Sequence, residues 1–226
     1  MKETQQTEEL ETNLAPGVSR RRFLGLAGGI AGAGLLLGAA GCKDDEIDGV
    51  ELGSDDTGIL NYAYALEQVE AAFYTRLIQT PFNGITQEEK ARFTEIRDHE
   101  IAHREFFKTA LGSNAIADLE MNFTSIDFTS RDSVLATAKA FEDLGVSAYN
   151  GAGPLIKDPN YLAIAGKIVS VEARHAAYIR DLLSPGSFSG TTDINGLDSA
   201  MDPAAVLNIA GNYLKSKISA KNLPTS

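Results

Sequence analysis

Residues 58–79 carry apolar side chains on nearly every face of a helix: Ile59, Leu60, Tyr62, Tyr64, Leu66, Val69, Phe73, Tyr74 and Leu77 leave no continuous polar stripe. A helix that is apolar all round is one surrounded by others, so this segment predicts the buried member of a bundle. Thr86-Gln87-Glu88-Glu89 is a capping box that opens a second helix, which runs to Leu111 and stops before Gly112. A third helix is expected from the stretch Thr129 to Asp132 as far as the stretch Gly151 to Pro154. Asp158-Pro159 supplies the N-cap and first-turn proline of a fourth, which Pro185-Gly186 ends. Asp202-Pro203 starts a shorter fifth helix, expected to reach Lys217, and no segment alternates strictly enough to predict a strand.

The connections turn these helices into a topology. About six residues join helices one and two, and about six join three and four, which predicts two antiparallel hairpins. About 17 residues separate helix two from helix three; at roughly 3.3 Å each they can travel back along about 36 Å of helix. The expected fold is all-α: a four-helix bundle over residues 58–184 with one long crossover, then a loop and short C-terminal helix in residues 185–226.

Composition agrees with a folded domain. Hydrophobic residues make up 43% of the 226 positions and charged residues 23%, the balance of a globular chain with a real core. The formal net charge is -11, and because residues 1–41 carry as many acidic as basic groups, it belongs to the remainder. A surface that acidic repels phosphate backbones and argues against nucleic acid as a partner, while it enriches cations nearby. The single cysteine, Cys42, excludes an intramolecular disulfide and any four-cysteine iron site.

Cys42 also marks the end of a distinct N-terminal segment. Ser19-Arg20-Arg21-Arg22-Phe23-Leu24-Gly25, followed by a Gly- and Ala-rich apolar stretch to Ala40, resembles a twin-arginine export signal. At about 17 residues that stretch is short for a membrane span. Gly38-Ala39-Ala40-Gly41-Cys42 resembles a lipoprotein cleavage site, although Ala39 stands where leucine is usual, and Lys43-Asp44-Asp45-Glu46 resembles an acidic sorting signal. The expectation is a signal segment over residues 1–41 and a lipidated flexible linker over residues 42–57. The protein is then exported by the twin-arginine route to the periplasm or cell envelope, and a lipid on Cys42 attaches it to the membrane.

The chemistry lies in the helices. Glu100-Ile101-Ala102-His103 sits on helix two and Glu172-Ala173-Arg174-His175 on helix four. Residues three apart share a helix face, so each motif aims a carboxylate and an imidazole at one point. Ala65-Leu66-Glu67 through Phe73-Tyr74 on helix one matches Ala140-Phe141-Glu142 through Ala148-Tyr149 on helix three, Glu67 aligning with Glu142 and Tyr74 with Tyr149 at an offset of 75 residues. The two Glu-x-x-His motifs align at an offset of 72. The chain reads as two related hairpins, each offering one glutamate from its first helix and a Glu-x-x-His from its second.

In these segments, residues 58–184 resemble the ferritin-like di-iron carboxylate family, and most closely its envelope and stress-associated ferritin-like domain proteins. The resemblance implies Glu67, Glu100, His103, Glu142, Glu172 and His175 as ligands of two metal ions, with Glu100 and Glu172 bridging and Tyr74 and Tyr149 just behind the ligands. Mixed carboxylate and imidazole ligands suit iron or manganese. The implied function is a di-metal oxidoreductase of ferroxidase, peroxidase or catalase type, acting on O2 or peroxide and ferrous iron. Metal binding without turnover, and a stress-related structural lipoprotein with a vestigial site, remain alternatives. Metal identity, electron donor and oligomeric state, a homo-oligomer included, stay open.

Each glutamate also has an ordinary reading as a solvated helix surface. The apolar neighbours of Glu172 (Ala165, Ile168, Ala176, Ile179) argue against it there. Cations such as Lys139 or Arg104 are the other candidates to compensate buried carboxylates. Glu70, one turn after Glu67, aligns with Gly145 and is expected behind the ligands or at the surface. His99 has no glutamate three residues before it and is expected to be an ordinary histidine.

Overall fold

In a computed structural model, residues 49–225 are described. Arg20, Arg21, Cys42 and the rest of the segment expected to direct export lie outside them. Four long helices form the bundle: α1 (Asp55–Gln79), α2 (Gln87–Leu111), α3 (Arg131–Ala152) and α4 (Pro159–Leu183). A short α5 (Pro203–Ala210) follows. Among the described residues, no helix is long and apolar enough to cross a membrane.

The local signals act as their chemistry dictates. Thr86 Oγ1 accepts from the Glu89 amide at 3.1 Å while Glu89 Oε2 accepts from the Thr86 amide at 2.9 Å, closing the capping box of α2. Glu89 Oε1 also accepts from Arg131 Nε at 3.0 Å, tying the start of α2 to the start of α3. Asp158 caps α4 through the Asn160 amide at 2.8 Å. α1 begins at Asp55, earlier than Gly58, and this first turn also serves α4. The Asp56 carboxylate accepts from the Lys157 and Asp158 amides at 2.7 and 2.8 Å, at the opening of that helix.

α1 and α2 form one antiparallel hairpin, and α3 and α4 the other. The crossover between them is pinned to buried polar groups of α1. Asn61 donates to Leu52 O and Asn114 O, each at 2.9 Å, and accepts from the Ile116 amide at 3.0 Å. Gln68 Oε1 accepts from the Leu119 amide at 2.7 Å. α1 is therefore covered by the crossover and by α5 as well as by its helical neighbours, which explains why it has no polar face.

Two features depart from the expectation. α5 ends at Ala210 instead of Lys217, because after Gly211 the chain pairs with the crossover: the Asn122 amide donates to Tyr213 O at 2.7 Å and the Lys215 amide to Glu120 O at 2.9 Å. Tyr213 then packs edge-on against Phe141 with ring centroids 4.6 Å apart. Strand pairing does occur, between β1 (Val50–Glu51) and β2 (Ile218–Ser219), in parallel, with Val50 opposite Ile218. Two residues are too short for alternation to show in a sequence.

The core divides around the middle of the bundle. One apolar cluster, with Phe73, Tyr74, Phe93, Phe141 and Ile179, fills one end. Another, with Leu60, Tyr64, Phe107, Tyr149 and Ile168, lies toward the other. Between Tyr74 and Tyr149 sits the polar centre.

Candidate metal centre

Each long helix brings a carboxylate to that centre from its own middle. Glu67 comes from α1, Glu100 with His103 from α2, Glu142 from α3, and Glu172 with His175 from α4. All four glutamates are 0% exposed. The i, i+3 spacing turns each Glu-x-x-His pair to the same side, and the repeat turns the two hairpins toward one another.

The geometry is that of two overlapping groups. His103 Nδ1 lies 2.9 Å from Glu172 Oε1, 3.4 Å from Glu67 Oε2 and 3.6 Å from Glu100 Oε2. His175 Nδ1 lies 2.8 Å from Glu100 Oε1, 3.4 Å from Glu142 Oε2 and 3.5 Å from Glu172 Oε2. Each group thus offers one nitrogen and three oxygens, with the ligand atoms within 4.8 Å of one another. Glu100 and Glu172 belong to both, giving one oxygen to each side.

All of these nitrogens and oxygens are buried and none makes a hydrogen bond. The short N–O separations are contacts between groups aimed at a common point, with directions unlike those of N–H···O bonds. Leaving so many polar atoms unpaired would cost on the order of several kcal/mol each if nothing occupied the centre. The donor set fits cations: four carboxylates carry four negative charges, which two divalent ions neutralise. Neither alternative cation reaches the cluster. Lys139 pairs with Asp143 at 2.7 Å and Arg104 with Glu105 at 2.7 Å, both away from the centre.

Protons show the same frustration. Burial and the adjacent Glu172 hold Glu100 well above the usual carboxylate range. Burial would raise Glu172 too, but the imidazoles of His103 and His175 against it keep it down at about 2. The two occupy equivalent places in the repeat, and crowding of like charges favours the neutral form at one of them while the imidazoles favour the charged form at the other. Burial opposes charge on His175, yet Glu142, Glu100 and Glu172 push it up to about 12, and His103 is raised in the same way.

The remaining oxygens of Glu67 and Glu142 are occupied. Tyr149 on α3 donates to Glu67 Oε1, and Tyr74 on α1 donates to Glu142 Oε1. Each tyrosine, two turns from the glutamate of its own helix, serves the glutamate of the other hairpin. Burial and the accepting carboxylate keep both phenols protonated, Tyr74 and Tyr149 being raised well above their ordinary value.

One expectation is narrowed and another corrected. Of the two places expected for Glu70, the surface is ruled out: it is 5% exposed, and burial together with Glu100 raises it well above the carboxylate range. Gly145 makes room for it, since a Cβ there would lie 3.2 Å from Glu70 Oε1. It joins neither four-atom group. His99 is not ordinary. Its Nδ1 lies 2.9 Å from His175 Nε2, and the two rings are parallel within 7°. Its position four residues before His103 places it on the ligand face of α2, the one sequence signal that could have revealed it. Burial and the nearby His175 lower its pKa, which suits a neutral acceptor.

No curated protein matches the chain in sequence. The sequence pattern of the ferritin-like domain matches residues 55–185, from the first residue of α1 to just past the end of α4. With more than half of its length in that match and with the four-helix architecture that houses the carboxylate and histidine cluster, the protein belongs to the ferritin-like domain family.

Proposed function

We propose that the cluster is a carboxylate-bridged di-metal centre for iron or manganese, and that the protein uses it for redox chemistry on O2 or peroxide, including oxidation of ferrous iron. The observation that carries this reading is the pair of four-atom groups sharing Glu100 and Glu172, every donor buried and unpaired. Two such ions supply two electrons, enough to convert one peroxide and two protons into two waters. Sustained turnover needs an external reductant.

The residues of the chain divide the work. Glu100 and Glu172, which belong to both groups, would each help to hold both ions. Tyr149 and Tyr74 engage the second oxygens of Glu67 and Glu142, so each of these terminal carboxylates offers a single oxygen inward. One nitrogen and three oxygens per position leave room for a small reactant in a higher coordination number. The apolar clusters at both ends keep bulk water out, which strengthens every charge interaction inside. The resemblance of residues 19–42 to a twin-arginine signal ending at a lipoprotein-like Cys42 supports the further proposal that this chemistry takes place in the periplasm or membrane-attached envelope. Folding before export would let the metal be selected in the cytoplasm.

The test is anaerobic loading of the protein with ferrous iron, metal analysis, and then exposure to O2 or peroxide with spectroscopic readout of ferric iron. Two equivalents bound and oxidised support the reading. Two equivalents bound without reaction leave a metal-binding protein, and none bound removes the centre.

A further inference from the structure

The two halves of the centre are repeats, but they are not equal. At the offset of 72 that aligns Glu100 with Glu172 and His103 with His175, His99 aligns with Val171. An imidazole stands behind one histidine of the cluster, and the residue aligned with it in the other hairpin, Val171, has no side-chain atom that could accept a hydrogen bond. Among the described residues no hydrogen bond reaches the outer nitrogen of His103, whereas the outer nitrogen of His175 meets His99 Nδ1 at 2.9 Å.

The direction of that bond follows from the inner nitrogen. Nδ1 of His175 faces Glu100, Glu142 and Glu172, and a cation bound there takes its lone pair. The remaining ring proton must then sit on Nε2, which donates to His99 Nδ1, and His99 carries its own proton on its Nε2. The bond fixes the His175 tautomer and the ring angle, and raises the basicity of the nitrogen that faces the cluster. The rings are parallel within 7° with centroids 5.2 Å apart, the geometry of a hydrogen bond lying in the plane of both rings.

We propose that His99 is a positioning residue for His175, and that it makes the position bounded by Glu100, Glu142, Glu172 and His175 the tighter of two unequal metal positions. This rests on the di-metal reading and adds an order of filling to it. A centre filled in sequence has a resident ion on the α3–α4 side and an exchangeable one beside His103, whose side chain is the more exposed of the two at 12% against 6%.

Calorimetric titration of the metal-free full chain with Mn(II) tests this. Wild type gives two resolved steps. Loss of an outer hydrogen-bond partner of a ligating histidine costs about 10–100-fold in affinity, so His99→Phe weakens the tighter step by that factor and leaves the weaker one within about twofold. His99→Asn, whose side-chain oxygen can stand where His99 Nδ1 stands, restores most of the loss. Nitrogen NMR of the Zn(II)-loaded protein gives an independent signature: His175 protonated at Nε2 in wild type and in His99→Asn, with that proton exchanging faster in His99→Phe. Two steps that shift together, or neither shifting, overturn the proposal while leaving the di-metal reading intact. Failure of wild type to bind Mn(II) overturns both.

Discussion

Proton release on metal loading gives the most direct measure of how the centre works. In the metal-free cluster the surrounding carboxylates favour the protonated form of His103 and His175 against the effect of burial, and burial together with Glu172 favours the protonated form of Glu100. Each must give up that proton to become a ligand, so filling both positions at neutral pH releases about three protons. With a release of about three, the product of the two binding constants rises roughly 1000-fold per pH unit, about 4 kcal/mol. The sign is opposite for the metal-free protein. The raised groups add stability that is fully present below their unfolded values, about 4.3 for a glutamate and about 6.5 for a histidine, and that declines as pH climbs toward the folded values. Glu172, held at about 2, works the other way and matters only in acid. Metal-free protein therefore weakens from about pH 5 upward while the metal-loaded form gains, and the gap in melting temperature widens with pH. Titration with Mn(II) near neutral pH in two buffers of different ionisation enthalpy counts the protons directly. A count of zero or one refutes the assignment of these groups as ligands.

His175→Ala removes a nitrogen donor from the tighter group, so metal content after loading falls from two equivalents to one or fewer, and most of the metal-dependent rise in melting temperature disappears while helical content persists. Tyr74→Phe and Tyr149→Phe each leave a buried carboxylate oxygen without its donor; each costs about 1–3 kcal/mol in chemical denaturation of the metal-free protein. Glu70→Gln supplies by mutation the neutral form that burial already favours, so it raises the melting temperature at pH 8 and leaves it unchanged near pH 4. Outside the described residues, replacing Arg20 and Arg21 by lysine traps precursor in the cytoplasm, and Cys42→Ser frees the exported protein from membranes in fractionation.

Most of the bundle was legible because its signals are local. The capping box at Thr86, the Asp158-Pro159 start and the apolar circumference of α1 each follow from neighbours within a few residues. The cluster was legible for a different reason: the repeat sets Glu67 against Glu142 and one Glu-x-x-His against the other. What the sequence hid depends on partners far away along the chain. Asn61 and Gln68 look like misplaced polar residues until the crossover arrives to use them. α5 stops at Ala210 because Tyr213 and Lys215 pair with Asn122 and Glu120, about ninety residues earlier, and no helix propensity records that competition. The sequence leaves Glu70 either behind the ligands or at the surface, because nothing local says that Gly145 is its neighbour in space as well as its counterpart in the repeat.

The same arrangement bears on whether the centre is a device or a relic. Outside the helix ends, the polar links between the two hairpins run largely through the cluster: Tyr149 to Glu67, Tyr74 to Glu142, His99 to His175, and the two shared carboxylates. A bundle held only by its core would be better served by apolar residues at these places, since buried ionic groups seldom outperform hydrophobic packing. Here four carboxylates are brought together with their free oxygens inward, and the tyrosines are spent on the oxygens that face away. A purely structural polar network would do the reverse, pairing the inward atoms first. On the proposed reading, a bound cation would restore the stability withheld from the metal-free fold, and the hairpins would be joined most firmly with the centre filled. That coupling makes a binding function the minimum the arrangement supports, and a set of only four donor atoms per position, fewer than iron or manganese can take, is what carries the proposed reading on to reaction with O2 or peroxide.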